Sequence, residues 1–129
     1  MKYILDTNII TALIKGEASI LAELEAHRSD GVYLCQPVYF ESMRGLLWKK
    51  AEVKIAALQK LRARLGWLQL LDADWEQAGQ LWVYAVSKGK QLADVDLLIA
   101  AIAVRQDAVI VTSDKDFDVL PVRRENWRV

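Results

Sequence analysis

The sequence predicts an α/β fold, a parallel sheet covered by helices on both faces, and two observations predict it. Short apolar runs at 3–5, 32–35, 68–71 and 108–112 alternate with segments of helical periodicity, the pattern of strands joined by helical crossovers. The stretch "LLIAAIAV", 97–104, is apolar on every side, so a helix there must lie between neighbours.

Taken in order, the first run sits inside "KYILDTNII", where Asp6, Thr7 and Asn8 follow the apolar residues directly. Ile20, Leu24 and His27 then share one helical stripe, which makes His27 a packed structural residue. After the second run, Pro37 suits the first turn of a helix that carries Tyr39, Phe40, Met43 and Leu47 inward. Ile55, Leu58, Leu61 and Leu65 give a second amphipathic helix closed by Gly66. Trp75, Ala78, Trp82 and Val86 give a third, ending near Gly89. The buried helix at 97–104 precedes the last run.

The 129 residues are expected to form one domain, 1–129, large enough to bury a continuous core without staples. Although 53% of residues are hydrophobic, no apolar stretch approaches the ~20 residues that cross a bilayer, and the start lacks a signal-peptide pattern. A soluble, cytoplasmic protein with no membrane association is expected. The lone cysteine, Cys35, reads as a small buried hydrophobe. Net charge is zero, so polyanion binding must come from a local patch. One candidate runs from Arg44 to Arg64, where Arg44, Lys49, Lys50, Lys54, Lys60, Arg62 and Arg64 accompany only Glu52. The same charges suit a solvated helix face.

Function is carried by the acids. In open parallel sheets ligands bind beyond the carboxyl ends of the strands. Asp6 follows the first strand, and Asp114 and Asp116, in "VTSDKDF", follow the last. Glu41 lies on the helix after the second strand. Asp94 and Asp96, in "LADVDLLIAA", open the buried helix. Four chain segments thus deliver Asp6, Glu41, Asp94 or Asp96, and Asp114 or Asp116 to one end of the sheet. Carboxylates crowded there repel by several kcal/mol and are driven to protonate unless a cation sits among them. Oxygen-only ligands suit Mg²⁺ or Mn²⁺; one histidine and one cysteine do not make a zinc site. A metal so held supports phosphodiester hydrolysis. A histidine acid-base pair, a glycine-rich phosphate loop and a Gly-x-Ser-x-Gly elbow are all missing from the sequence.

These residues resemble the PIN domain, and among PIN domains the VapC toxins of toxin-antitoxin pairs. "LDTNII" resembles the family's opening Asp-Thr-Asn, "DLLIAAIA" its Asp-x-Leu-Ile-Ala-Ala helix start, and "VTSDKDF" its Thr-x-Asp-x-Asp-Phe closing motif. "YFESMRG" supplies the glutamate helix, and the set spans essentially the whole chain in family order. The resemblance implies a three-layer α/β/α sandwich with a mostly parallel central sheet. It also implies a Mg²⁺-dependent endoribonuclease acting on structured RNA such as tRNA or rRNA. Residue by residue, Asp6, Glu41, Asp96 and Asp114 match the acidic quartet that binds metal and catalyses, and Asp116 matches an auxiliary acid. The motif sets its aspartate directly before Leu97, which is Asp96; Asp94 stands two residues earlier. Thr7, Asn8 and Thr112, with Asp94, would hold ligands and water by hydrogen bonds. Implied partners are RNA, a second copy of the chain, and a VapB-type antitoxin that sends an arginine into the acidic pocket. An exposed helix surface with Trp48 or Trp67 would serve the protein contacts.

Each acid also has a simpler use. Asp6, and Asp94 or Asp96, suit helix caps, Asp114 an Asx turn, and Glu41 an ion pair with Arg44 worth about 0.2 to 0.5 kcal/mol. Trp75 and Trp82 fit the core better than a base-stacking surface. Arg123, Arg124 and Arg128 suit phosphate contacts and a solvated tail equally. Two other functions compete. An aspartate-dependent phosphatase or receiver also places an aspartate after its first strand, but the phosphatase pattern needs an acid where Asn8 stands. A non-catalytic PIN-like RNA-binding domain would not need the full acidic set.

Overall fold

The computed structural model describes residues 1–128. Strands β1 (Lys2–Leu5), β2 (Gly31–Cys35), β3 (Gly66–Leu68), β4 (Val109–Val111) and β5 (Arg123–Glu125) form one sheet. Helices α1 (Thr7–Ile14) and α2 (Ala18–Ala26) link β1 to β2, α3 (Gln36–Trp48) and α4 (Glu52–Arg64) link β2 to β3, and α5 (Asp72–Ser87) and α6 (Asp94–Gln106) link β3 to β4. A 3₁₀ turn, Lys115–Val119, precedes β5.

The strand order is β3-β2-β1-β4-β5 and every pairing is parallel. From β1 the chain steps outward to β2 and β3, then returns across the sheet to β4. Right-handed crossovers place the first four helices on one face and α5 with α6 on the other, which completes the expected α/β/α layering. The order reverses between β1 and β4, so their connections leave in opposite directions and open a crevice at their carboxyl ends. In the register Leu5 lies opposite Val111, and the Asp6 amide donates to the Val111 carbonyl at 2.9 Å. The residues that follow the two strands, Asp6 and Thr112, therefore start side by side.

The core is aliphatic. Ile4, Leu5, Ile9, Ile10, Leu34, Val38, Ile99, Ile102 and Ile110 are fully buried, each stabilising the fold by ~1.5 to 3 kcal/mol. As expected, α6 is buried along most of its length, with Leu97, Ile99, Ala100, Ala101, Ile102 and Ala103 all inside. Cys35 is buried too, and loss of water pushes its thiol up to about 12. His27 closes α2 and stacks on Trp127 at 4.6 Å, with Tyr3 edge-on at the same distance, so its role is packing.

Four expectations are corrected. On α3 the buried positions are Pro37, Val38 and Ser42, while Phe40 and Leu47 face out. On α5 they are Asp74, Ala78, Leu81 and Ala85, which leaves Trp75, Trp82 and Val86 exposed. In both helices small residues mark the close approach to neighbours, while Phe40, Leu47, Trp75 and Trp82 lie on the open side. The third strand spans Gly66–Leu68 instead of 68–71, and it opens on a glycine where a Cβ would come within 2.5 Å of the Tyr33 ring on β2. The C-terminal arginines do not form a solvated tail: Arg123 and Arg124 lie in β5, paired with Asp107 and Asp118, and Arg128 pairs with Glu17.

One buried ion pair was not anticipated. Asp74 on α5 is 1% exposed. It accepts from Arg105 Nε at 2.8 Å and Nη2 at 3.0 Å, and from the Leu71 amide at 2.8 Å. The guanidinium fork thus ties α5 to α6 while the same carboxylate caps α5.

Candidate metal centre

Asp6 sits at the crevice because β1 ends there and α1 begins. Its backbone is extended and its Oδ1 accepts from the Thr7 amide at 2.8 Å, so the capping use predicted for it is real. Capping occupies one oxygen only. Oδ2 accepts from Thr112 Oγ1 at 2.7 Å and Asn8 Nδ2 at 3.0 Å. Asp6 is nevertheless nearly buried, and loss of water raises its carboxyl above the usual range; the charges of Glu41 and Asp114 push the same way, while the Thr112 and Thr7 bonds pull it back.

Thr112 and Asn8 make the frame around it. The Thr112 hydroxyl donates to Asp6 and accepts from Asn8 Nδ2 at 3.2 Å and the Asp114 amide at 2.9 Å, using its full capacity. Asn8 Oδ1 accepts from the Ser113 amide at 3.0 Å. An aspartate at position 8, as a phosphatase would require, could not supply the amide protons this frame uses. Thr7 Oγ1 donates to Glu41 Oε1 in a short hydrogen bond, which brings α3 to α1. Glu41 also pairs with Arg44 at 3.6 Å, the contact its helical spacing predicts.

The third group comes from α6 and the β4 loop. Carboxylate oxygens of Asp96, Asp114 and Asp116 lie within 4.8 Å of one another. Asp114 Oδ1 accepts from the Asp116 amide at 2.9 Å, an Asx-type cap of the 3₁₀ turn that fixes the two acids relative to each other. Lys90 Nζ lies 3.2 Å from Asp116 Oδ1, a cation at the rim that the sequence reading missed. Asp96 is half-buried and its carboxyl is pushed up to about 7, first by loss of water and then by the charges of Asp6, Asp114, Glu41 and Asp116. Asp6 and Glu41 thus lie near enough for their charges to act on Asp96, while the tight cluster itself is Asp96, Asp114 and Asp116. Asp94 is exposed and lines a shallow groove with Trp75 and Trp82 on the α5–α6 face, apart from the acids.

The donor set suits a hard divalent cation. The donors are all carboxylate oxygens, and two of the acids, Asp6 and Asp96, are held above their ordinary range by burial and mutual repulsion, the strain that a divalent charge relieves.

Comparison with known proteins agrees with this architecture. A family model described as "PIN domain" matches residues 3–122. Ribonuclease VapC11 of Mycobacterium tuberculosis is 29% identical over 123 residues, covering 91% of this chain and 90% of that protein. Among solved structures, VapBC2 from Rickettsia felis, bound to a DNA fragment from its promoter, superposes with a TM-score of 0.91 at 29% identity, over 99% of this chain and 100% of that one. DNA-bound VapBC from Salmonella typhimurium gives 0.90 at 25% identity, over 99% of both chains. With its sheet order, its acid-lined crevice and a family match over nearly its whole length, the chain belongs to the PIN domain family.

Proposed function

We propose that the protein is a Mg²⁺- or Mn²⁺-dependent endoribonuclease, the toxin of a toxin-antitoxin pair, that hydrolyses phosphodiester bonds in structured RNA such as tRNA or rRNA. The observation that carries the reading is the meeting of Asp96, Asp114 and Asp116 oxygens within 4.8 Å, beside Asp6 and Glu41, whose charges act on Asp96. The names of the relatives support the ribonuclease reading, and the VapBC complexes support a VapB-type antitoxin as partner. A second copy of the chain and a cytoplasmic setting complete the proposal. No helix among the described residues is long and apolar enough to cross a membrane.

In this reading Asp6, Asp96 and Asp114 hold the ion, with Asp116 and Glu41 completing the acidic wall. An ion held by these carboxylates would supply Lewis-acid chemistry: a lowered pKa for a water, a polarised phosphoryl oxygen and a stabilised leaving alkoxide. The chain's own part is to keep the oxygens in place. Thr112 and Asn8 fix the rotamer of Asp6, Thr7 fixes Glu41, and the 3₁₀ cap fixes Asp114 against Asp116. Asp6 is nearly buried and Asp96 half-buried, so the site is partly dry and every charge interaction in it is strengthened.

The test mixes purified protein with structured RNA, with and without Mg²⁺ or Mn²⁺, beside Asp6→Asn and Asp96→Asn. Metal-dependent cleavage that both variants abolish is expected. Equal cleavage by wild type and variants would overturn the assignment.

A further inference from the structure

Beside the acids, a groove of about 250 Å³ runs between α1, α3 and α4. One end is Thr7 and Glu41, so it opens directly off the crevice. Its floor is apolar, with Ile10 and Leu46, and its rim carries Lys15, Lys49 and Lys54. None of these three lysines forms an ion pair among the described residues, whereas Arg105, Arg123, Arg124 and Arg128 are all paired. On a chain of zero net charge this is a local concentration of free cations. The groove also holds Ser42, whose buried Oγ is the one buried side-chain polar atom without a hydrogen-bond partner among the described residues. Ser42 has no packing partner that needs a hydroxyl, and alanine would fill the same helix position.

We propose that this groove seats the RNA strand next to the bond that is cut. Lys15, Lys49 and Lys54 take its backbone phosphates, the Ile10 and Leu46 floor takes a base or sugar, and Ser42 turns its hydroxyl to a polar atom of that nucleotide. Charge complementarity selects the occupant: three unpaired ammonium groups above an apolar floor match a polyanion that alternates phosphates with flat apolar faces. The volume, near the lower end of small-ligand sites of ~300 Å³ and more, matches about one nucleotide in contact. These are positioning residues, and the inference rests on the ribonuclease reading of the acids next door.

The test measures binding of a fluorescent single-stranded RNA oligonucleotide by anisotropy across a salt series, in an Asp96→Asn background to prevent cleavage. It compares Lys49→Ala/Lys54→Ala, Ser42→Ala and, as control, Lys88→Ala at the end of α5, outside both the groove and the Arg44–Arg64 charge run. Cleavage of structured RNA by the same groove and control variants, with Asp96 intact and Mg²⁺ or Mn²⁺ present, is followed in parallel. The double lysine change is expected to weaken binding on the order of tenfold and to reduce the salt slope by about 1.4, two phosphates at 0.7 each. Ser42→Ala is expected to weaken it about threefold. In cleavage, KM should rise with kcat held. Lysine variants that bind RNA like Lys88→Ala would overturn the groove while leaving metal-dependent cleavage intact. Lysine variants that keep RNA affinity and lose a VapB-type antitoxin peptide would overturn it in favour of a protein-binding groove. Groove-dependent binding without cleavage by the wild type would instead sink the ribonuclease reading and keep the groove.

Discussion

Thr112→Val tests the frame around Asp6. Valine keeps the shape and removes the hydroxyl that donates to Asp6 Oδ2 at 2.7 Å and accepts from Asn8 and from the Asp114 amide. A hydrogen bond to a charged group contributes ~1.5 to 3 kcal/mol and a neutral one ~0.5 to 1.5. The position is 3% exposed, so water cannot replace the lost partners. Because the three bonds share one oxygen and are not additive, a net loss of about 2 to 3 kcal/mol is expected, or about 10 °C in melting temperature for a chain of this size. The Thr112 bond also holds the Asp6 carboxyl down. Without it Asp6 takes up protons at higher pH, so the pH needed for half-maximal metal binding rises. Partners that orient metal ligands are typically worth about 10- to 100-fold in affinity or activity. The assay pairs thermal melts with Mn²⁺ titrations at pH 6 to 8, for Thr112→Val and for Thr112→Ser, which keeps the hydroxyl and loses a methyl. The reasoning fails if the valine variant binds Mn²⁺ and cleaves RNA within twofold of wild type, or if the serine variant is the more damaged.

Three further outcomes are expected. The folded-state value of about 7 for Asp96 lies above the ordinary carboxylate value near 3.8, so the folded chain binds that proton more tightly. Metal-free stability should then fall as pH rises from about 4 to 7, and added Mn²⁺ should reverse the loss. Melts in EDTA that climb steadily over the same range would contradict this. Arg105→Ala leaves Asp74 buried without its fork; because Arg105 is itself 26% exposed, the expected cost is about 2 to 4 kcal/mol by urea unfolding, at the lower side of buried-pair losses. Gly66→Ala forces the Tyr33 ring aside and should cost about 1 to 3 kcal/mol, with most of the loss recovered in combination with Tyr33→Ala. An unchanged melting temperature for Gly66→Ala would show that Tyr33 moves freely.

The first, second and fourth strands were legible because each is a short apolar run stopped by a polar residue. The acids were legible for the same reason: Asp6 and Asp114 follow strand ends and Asp96 opens an apolar helix, so sheet topology alone sends them to one crevice. Periodicity failed where residue size misleads. On α3 and α5 two stripes are each consistent with a helix, and the larger side chains drew the choice to Phe40, Leu47, Trp75 and Trp82. The packed faces are instead set by Ser42, Ala78 and Ala85, whose small size lets neighbouring elements approach, and by Asp74, whose partner lies 31 residues away. β5 was missed because Arg-Arg-Glu has neither alternation nor β-branched residues; pairing with β4 makes it a strand. Lys90 and Lys15 gave no signal, and Lys49 and Lys54 stood out only as members of the Arg44–Arg64 charge run, since what matters about each is what it faces.

β5 bears on how copies or partners attach. Its outer side is a three-residue margin of exposed charge, with Arg123 and Arg124 already clamped to Asp107 and Asp118. The opposite margin, β3, is equally short. Neither offers the long, flat ladder of free amides and carbonyls that an incoming extended segment needs for backbone augmentation. Association with another chain is thereby steered to helix surfaces, where Trp48, Trp75 and Trp82 stand open.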